Sequence, residues 1–152
     1  MDKIGSGLLA AFVATLLMAV ILSIKSAIGV FPDVDVIQLL MTMAASHLGT
    51  TEHMAVGWAV HFFVGVLLWG PIFSIVEPRL PGGDFWLRGI SFGLCAWVGM
   101  MVIVMPLAGV GFFGFNIGIS APILVLFMHV IFGALLGGIY GSFLRGRAST
   151  TR

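Results

Sequence analysis

Two histidines occupy matched positions in a short pattern that the chain carries twice. His61-Phe-Phe-Val-Gly65-Val-Leu-Leu-Trp-Gly70 is echoed by His129-Val-Ile-Phe-Gly133-Ala-Leu-Leu-Gly-Gly138, so both copies read His-x3-Gly-x-Leu-Leu-x-Gly. Each lies in an uncharged apolar run, where an ionisable side chain is costly and marks a candidate site. Repetition of the pattern points to a duplicated helical hairpin. Two neutral imidazoles at one depth could act as axial ligands of a haem b, with Gly65 and Gly133 leaving room for a flat ring. They could instead join the thioethers of Met18 and Met105 in a copper or other soft-metal site. A third reading is a quinone or proton-relay site, in which histidine bonds a substrate oxygen or passes a proton. The plain structural alternative is a neutral imidazole hydrogen-bonded across a helix bundle.

A second group of candidate ligands, Met41, Met43, His47, Glu52, His53 and Met54, lies in the first connection. These residues could gather a metal, although methionine also serves as apolar filler and exposed His and Glu are commonly solvated. Met100 and Met101 read as core or lipid-facing residues. Trp86 beside Arg88 and Trp58 near the opposite boundary suit interfacial anchoring. Asp33 and Asp35 read as turn and cap residues. No Ser/His/Asp triad, phosphate loop or pair of intramembrane carboxylates is present.

The elements that must position these residues are membrane helices. The 152-residue chain is 60% hydrophobic and 9% charged, with a mean hydropathy of +1.17, which excludes an ordinary soluble domain. A net charge of +1 without a basic patch excludes nucleic acid as a partner, and the single Cys95 excludes a disulfide framework. Hydropathy predicts an all-α bundle of four spans, at about 4–24, 54–76, 87–107 and 121–144, forming one membrane domain over 1–145 with a polar cytoplasmic tail at 146–152. The first run could be confused with a signal peptide, but it is long and lacks a small-x-small cleavage site. Pro71 should kink or tighten the second span, and Pro106 with the Gly109–Gly118 segment divides the last two. Ser120 is expected to cap the fourth span. Asp35-Val-Ile-Gln38 fits a capping box opening a short interfacial helix over about 36–47.

Lys3, Arg79, Arg88, Arg145, Arg147 and Arg152 fall on the side of both termini, and Lys25 alone on the other, which predicts cytoplasmic termini. Small residues spaced by four form stripes for helix contact: Gly7, Ala11, Thr15, Ala19 and Ser23; Gly57 and Gly65 around His61; Gly89 and Gly93; Gly133, Gly137 and Gly141 after His129. Both histidines therefore face neighbouring helices. Each stands sixteen residues from a boundary charge, Glu77 or Arg145, or about 24 Å along a helix.

The segments Gly57-Trp-Ala-Val-His61-Phe-Phe-Val-Gly65 and Met128-His129-Val-Ile-Phe-Gly133-Ala-Leu-Leu-Gly137-Gly-Ile-Tyr140-Gly141, with Arg88-Gly89 opening the third span, resemble a group of small uncharacterised bacterial four-span membrane proteins, a domain of unknown function. The resemblance covers nearly the whole chain and implies a bacterial or archaeal cytoplasmic membrane and the same helical plan. It carries over no catalytic residue, although His61 and His129 match the group's histidine positions. The expected role is a non-catalytic membrane subunit or accessory protein, attached to a respiratory or redox assembly or forming a homo-oligomer. The alternatives are a haem- or copper-binding electron-transfer or metal-handling protein, and a small oligomeric transporter. Transport is less natural, because four spans carry no intramembrane Asp, Glu, Lys or Arg to couple ions.

Overall fold

A computed structural model describes residues 2–150, and among them every regular element is helical. The elements are α1 (Lys3–Ala27), α2 (Val36–Leu48), α3 (Met54–Arg79), α4 (Phe85–Leu107) and α5 (Ser120–Thr150). Four of these, α1, α3, α4 and α5, are long and apolar enough to cross a membrane, whereas α2 is too short. The spans overrun the hydropathy boundaries by a few residues at several ends, because capping rather than hydropathy sets a terminus. Asp2 Oδ1 accepts from the Gly5 amide at 2.7 Å and starts α1. Asp35 Oδ1 accepts from the Ile37 and Gln38 amides, both at 3.0 Å, and starts α2, which ends at the left-handed Gly49. The expected polar tail continues α5 as far as Thr150; residues 151 and 152, including the Arg152 counted in the charge asymmetry, lie outside the described residues.

Neither proline behaves as a simple kink. α3 widens into a π-helical turn over Phe63–Leu68, and α4 does so over Met100–Val104. Each turn contains the residue four before a proline, Leu67 before Pro71 and Val102 before Pro106. A proline ring clashes with that carbonyl and supplies no N–H to it, so a widened turn relieves the clash without ending the helix. The two hairpins consequently differ locally: α3 enters a π turn just after His61, while α5 continues regularly past His129.

Small residues set the packing order. α1 lies between α3 and α5, and α4 packs along α5. A Cβ on Gly89 would strike the Gly133 carbonyl, and one on Gly133 would strike the Gly89 carbonyl, so these backbones touch directly. Gly93 meets the His129 carbonyl and Gly137 the Phe85 carbonyl in the same way. Between α1 and α3, Gly7 lies against Ser74, and Gly65 against Thr15. Such approaches maximise dispersion where lipid removes the hydrophobic drive between helices. α3 and α4 meet near the end carrying the chain termini, where Phe92 packs edge-on against Trp69 and Phe73 with centroids 5.5 and 5.2 Å apart. There the buried Glu77 pairs with Arg88 at 2.6 Å.

At the opposite end the α1–α2 connection is tied down by a residue that hydropathy marks only as a boundary charge. Lys25 is 9% exposed and donates to the carbonyls of Phe31 at 2.9 Å and Val34 at 2.7 Å. Replacing Lys25 by methionine keeps the stem but orphans two carbonyls. The expected loss is about 1–3 kcal/mol, because hydrogen bonds to charged groups are worth more than neutral ones. Thermal unfolding in mild detergent reads it, and an unchanged midpoint would show that water replaces the ammonium.

Candidate functional site

The four spans and α2 surround a cavity of about 340 Å³. α1 contributes Thr15, Met18 and Leu22, and α2 covers one end with Val36, Leu40 and Met43. α3 supplies His61, Gly65, Leu68 and Trp69, α4 supplies Gly99, Met100 and Ile103, and α5 supplies Met128 and His129. Both π turns form part of the wall. Here the extra residue per turn leaves a gap that regular helices would close, in keeping with the frequent placement of such turns at functional sites.

Polar groups in this wall are few. His129 Nδ1 lies 2.8 Å from the Val125 carbonyl four residues earlier. A carbonyl only accepts, so Nδ1 carries the proton and the neutral ring keeps its Nε2 lone pair free. His61 stands edge-on to Trp58 and Phe62, with centroids 5.8 and 5.7 Å away, and its buried Nε2 has no hydrogen-bond partner. Thr15 is 1% exposed and its Oγ1 is also without a partner. Gly65 allows this: any side chain there would displace the threonine. Buried polar atoms are normally satisfied, and each exception calls for an explanation. Thr15 and His61 thus each bring a buried polar atom without a hydrogen-bond partner to the residues that line the cavity, next to His129, whose Nδ1 is committed to Val125.

Of the residues singled out from sequence, His61, His129, Gly65 and Met18 belong to or line this wall. Gly133 stands one turn from His129 and serves the α4–α5 contact. Met105 does not reach the cavity; it is packed with Val34, Met101, Ala121 and Val125 in a separate cluster. Counting along a regular helix puts Met105 at the histidine level, but the π turn at Met100–Val104 adds a residue and rotates the rest of the helix by about 100°. The connection residues are not gathered either. His47 Nε2 bonds the Leu107 carbonyl at 2.8 Å, His53 Nδ1 accepts from the Ala55 amide at 3.1 Å to cap α3, and Glu52 is exposed. Among the described residues no three His, Cys, Asp or Glu side chains are grouped to hold a metal. Sequence reasoning read Thr15 only as a small packing residue, and it placed Met43 and Met100 elsewhere. The signal for Thr15 was its place opposite Gly65, a hydroxyl where alanine would pack equally well.

Fold and cavity together define a multi-pass helical membrane protein with an internal, largely apolar chamber. A family model matches residues 1–151, and the chain belongs to that family, described as a family of unknown function (DUF6789). No curated protein and no solved structure matches the chain.

Proposed function

We propose that the protein is a non-catalytic membrane subunit that binds a quinone-type ring in the cavity and presents it to a redox assembly. The observation that supports this reading is an apolar cavity whose lining includes Thr15, His61 and His129, with Thr15 Oγ1 and His61 Nε2 unpartnered and His129 Nδ1 bonded to Val125. A volume of about 340 Å³ falls within the range of small-molecule sites, roughly 300–1,000 Å³. A hydroxylated ring donates to His129 Nε2, whose own proton is committed to Val125, while the Thr15 hydroxyl rotates to donate or accept.

Copper(I) is the competing reading, favoured by the thioethers of Met18, Met43, Met100 and Met128 in the same wall. The size of the chamber weighs against it, since metal ligands close to about 2 Å around the ion and leave no such void. Haem b is disfavoured because no Lys or Arg lines the cavity to meet its propionates. The absence of charge in the wall also removes the means of coupling ions in a transporter. Cytoplasmic termini follow in this reading from the clustering of Lys and Arg at the termini end, and the bacterial cytoplasmic membrane from the resemblance to small bacterial membrane proteins.

Titration of the purified full chain in mild detergent with decyl-ubiquinone and its quinol, followed by tryptophan fluorescence, tests the proposal. One site is expected, with the quinol bound about tenfold more tightly because His129 Nε2 only accepts. Stoichiometric copper or a Soret band in the isolated protein, with no response to either ring, would replace this reading.

A further inference from the structure

The chamber is half open, and its lining shows where it opens. α2 roofs it with Val36, Leu40 and Met43, and the roof is fastened by Lys25 to the preceding loop and by His47 to the Leu107 carbonyl. Trp69 lines the chamber as well, backed by an edge-to-face contact with Phe92. The α1–α3, α1–α5 and α4–α5 seams are packed, with Gly65 against the Thr15 side chain and Gly93 against the His129 carbonyl. The α3–α4 seam is different. Of the residues lining the chamber, Leu68 and Ile103 are the two that are exposed, at 41% and 60%. Lining residues with that much open surface mark the mouth. It lies along the flank of two membrane-spanning helices, so it faces acyl chains rather than either aqueous phase.

We infer that the ligand is a prenyl-tailed quinone which enters sideways from the bilayer between α3 and α4, its ring at Thr15 and the histidines and its tail leaving between Leu68 and Ile103. This inference rests on the quinone reading above and adds the route and the tail. A ring without a tail would have to cross the hydrocarbon to find the mouth, whereas a tailed one is already dissolved there. Both mouth residues are aliphatic, matching an isoprenoid chain, and the polar residues Thr15, His61 and His129 belong to the same lining and are not exposed. The π turns that widen α3 and α4 hold Leu68 and Ile103, so the same distortion that opens the chamber opens its side.

The test uses the full chain in lipid nanodiscs with Leu68→Trp and Ile103→Trp, both on exposed positions where a larger ring leaves the packed seams untouched. Binding of a decaprenyl-type ubiquinone and of ubiquinone-0, which has the ring alone, is measured for each variant and the parent. The double variant is expected to weaken the tailed quinone at least about tenfold more than it weakens ubiquinone-0, a difference of about 1.4 kcal/mol or more, and equal weakening of the two overturns the lateral route. A photoreactive azide on the first isoprene unit should label α3 and α4 near Leu68 and Ile103. Equal binding of both quinones by variant and parent, or labelling confined to α1 and α2, overturns the lateral route while leaving the ring site standing. Failure of the parent to bind either quinone overturns the quinone reading and the route together.

Discussion

Gly133→Leu is expected to unfold the bundle or lower its stability by at least about 3 kcal/mol. At this position α4 and α5 touch through their backbones, since a Cβ on Gly133 would meet the Gly89 carbonyl and the Gly93 Cα. Overpacking in a well-fitted core ordinarily costs about 1–3 kcal/mol because side chains yield; a carbonyl of a hydrogen-bonded helix does not yield, so the helices must part. Separation would cost the neighbouring contacts of Gly93 with His129 and of Gly137 with Phe85 as well. Gly138→Leu is the control: it lies on the same helix, and a Cβ there meets nothing within 4 Å. Its midpoint in detergent should move by no more than the equivalent of about 0.5 kcal/mol. If both variants lose the same amount, close helix approach is not what holds α4 to α5.

Thr15→Val should separate binding from folding. Valine matches threonine in shape and removes a buried hydroxyl that has no partner in the ligand-free fold. An unsatisfied buried polar group costs about 1–3 kcal/mol, so the variant should be as stable as the parent or more so by about 1 kcal/mol. On the proposed reading, the same change removes a hydroxyl from a residue that lines the ring site. Quinol affinity should fall about tenfold to a hundredfold, and Thr15→Ser should restore most of it while leaving a small packing defect beside Gly65. Loss of stability without loss of binding would make Thr15 a packing residue and take away a main support of the proposed site. The orphaned hydroxyl thus predicts opposite signs for stability and for binding, as expected where a site holds a polar group for its ligand.

These two expectations differ in how far they were legible before the fold was known. The small-residue stripes, including Gly89 with Gly93 and Gly133 with Gly137, were readable because a spacing of four puts residues on one face whatever the neighbour is. Four spans, the Asp35-capped α2 and the inward aspect of both histidines were readable for related reasons: hydropathy, capping and the cost of an imidazole in lipid are local properties. The chain alone thus determined an all-helical membrane protein with two imidazoles turned to its interior.

Tertiary structure alone decided that α3 and α4 would widen at Phe63–Leu68 and Met100–Val104, part along one seam and leave a chamber there. A proline announces strain, but whether the helix kinks, ends or widens depends on what packs against the strained turn. That choice moved Met105 into a separate cluster, brought Met43 and Met100 to the cavity, and left Thr15 Oγ1 without a partner. Likewise, Lys25, His47 and His53 could be read as charges or ligands from their types, yet became a loop clamp, a helix tie and a cap. The physical reason is common to all of them. A hydrogen bond or a void belongs to a pair of elements, and its occupant is known only once both are in place.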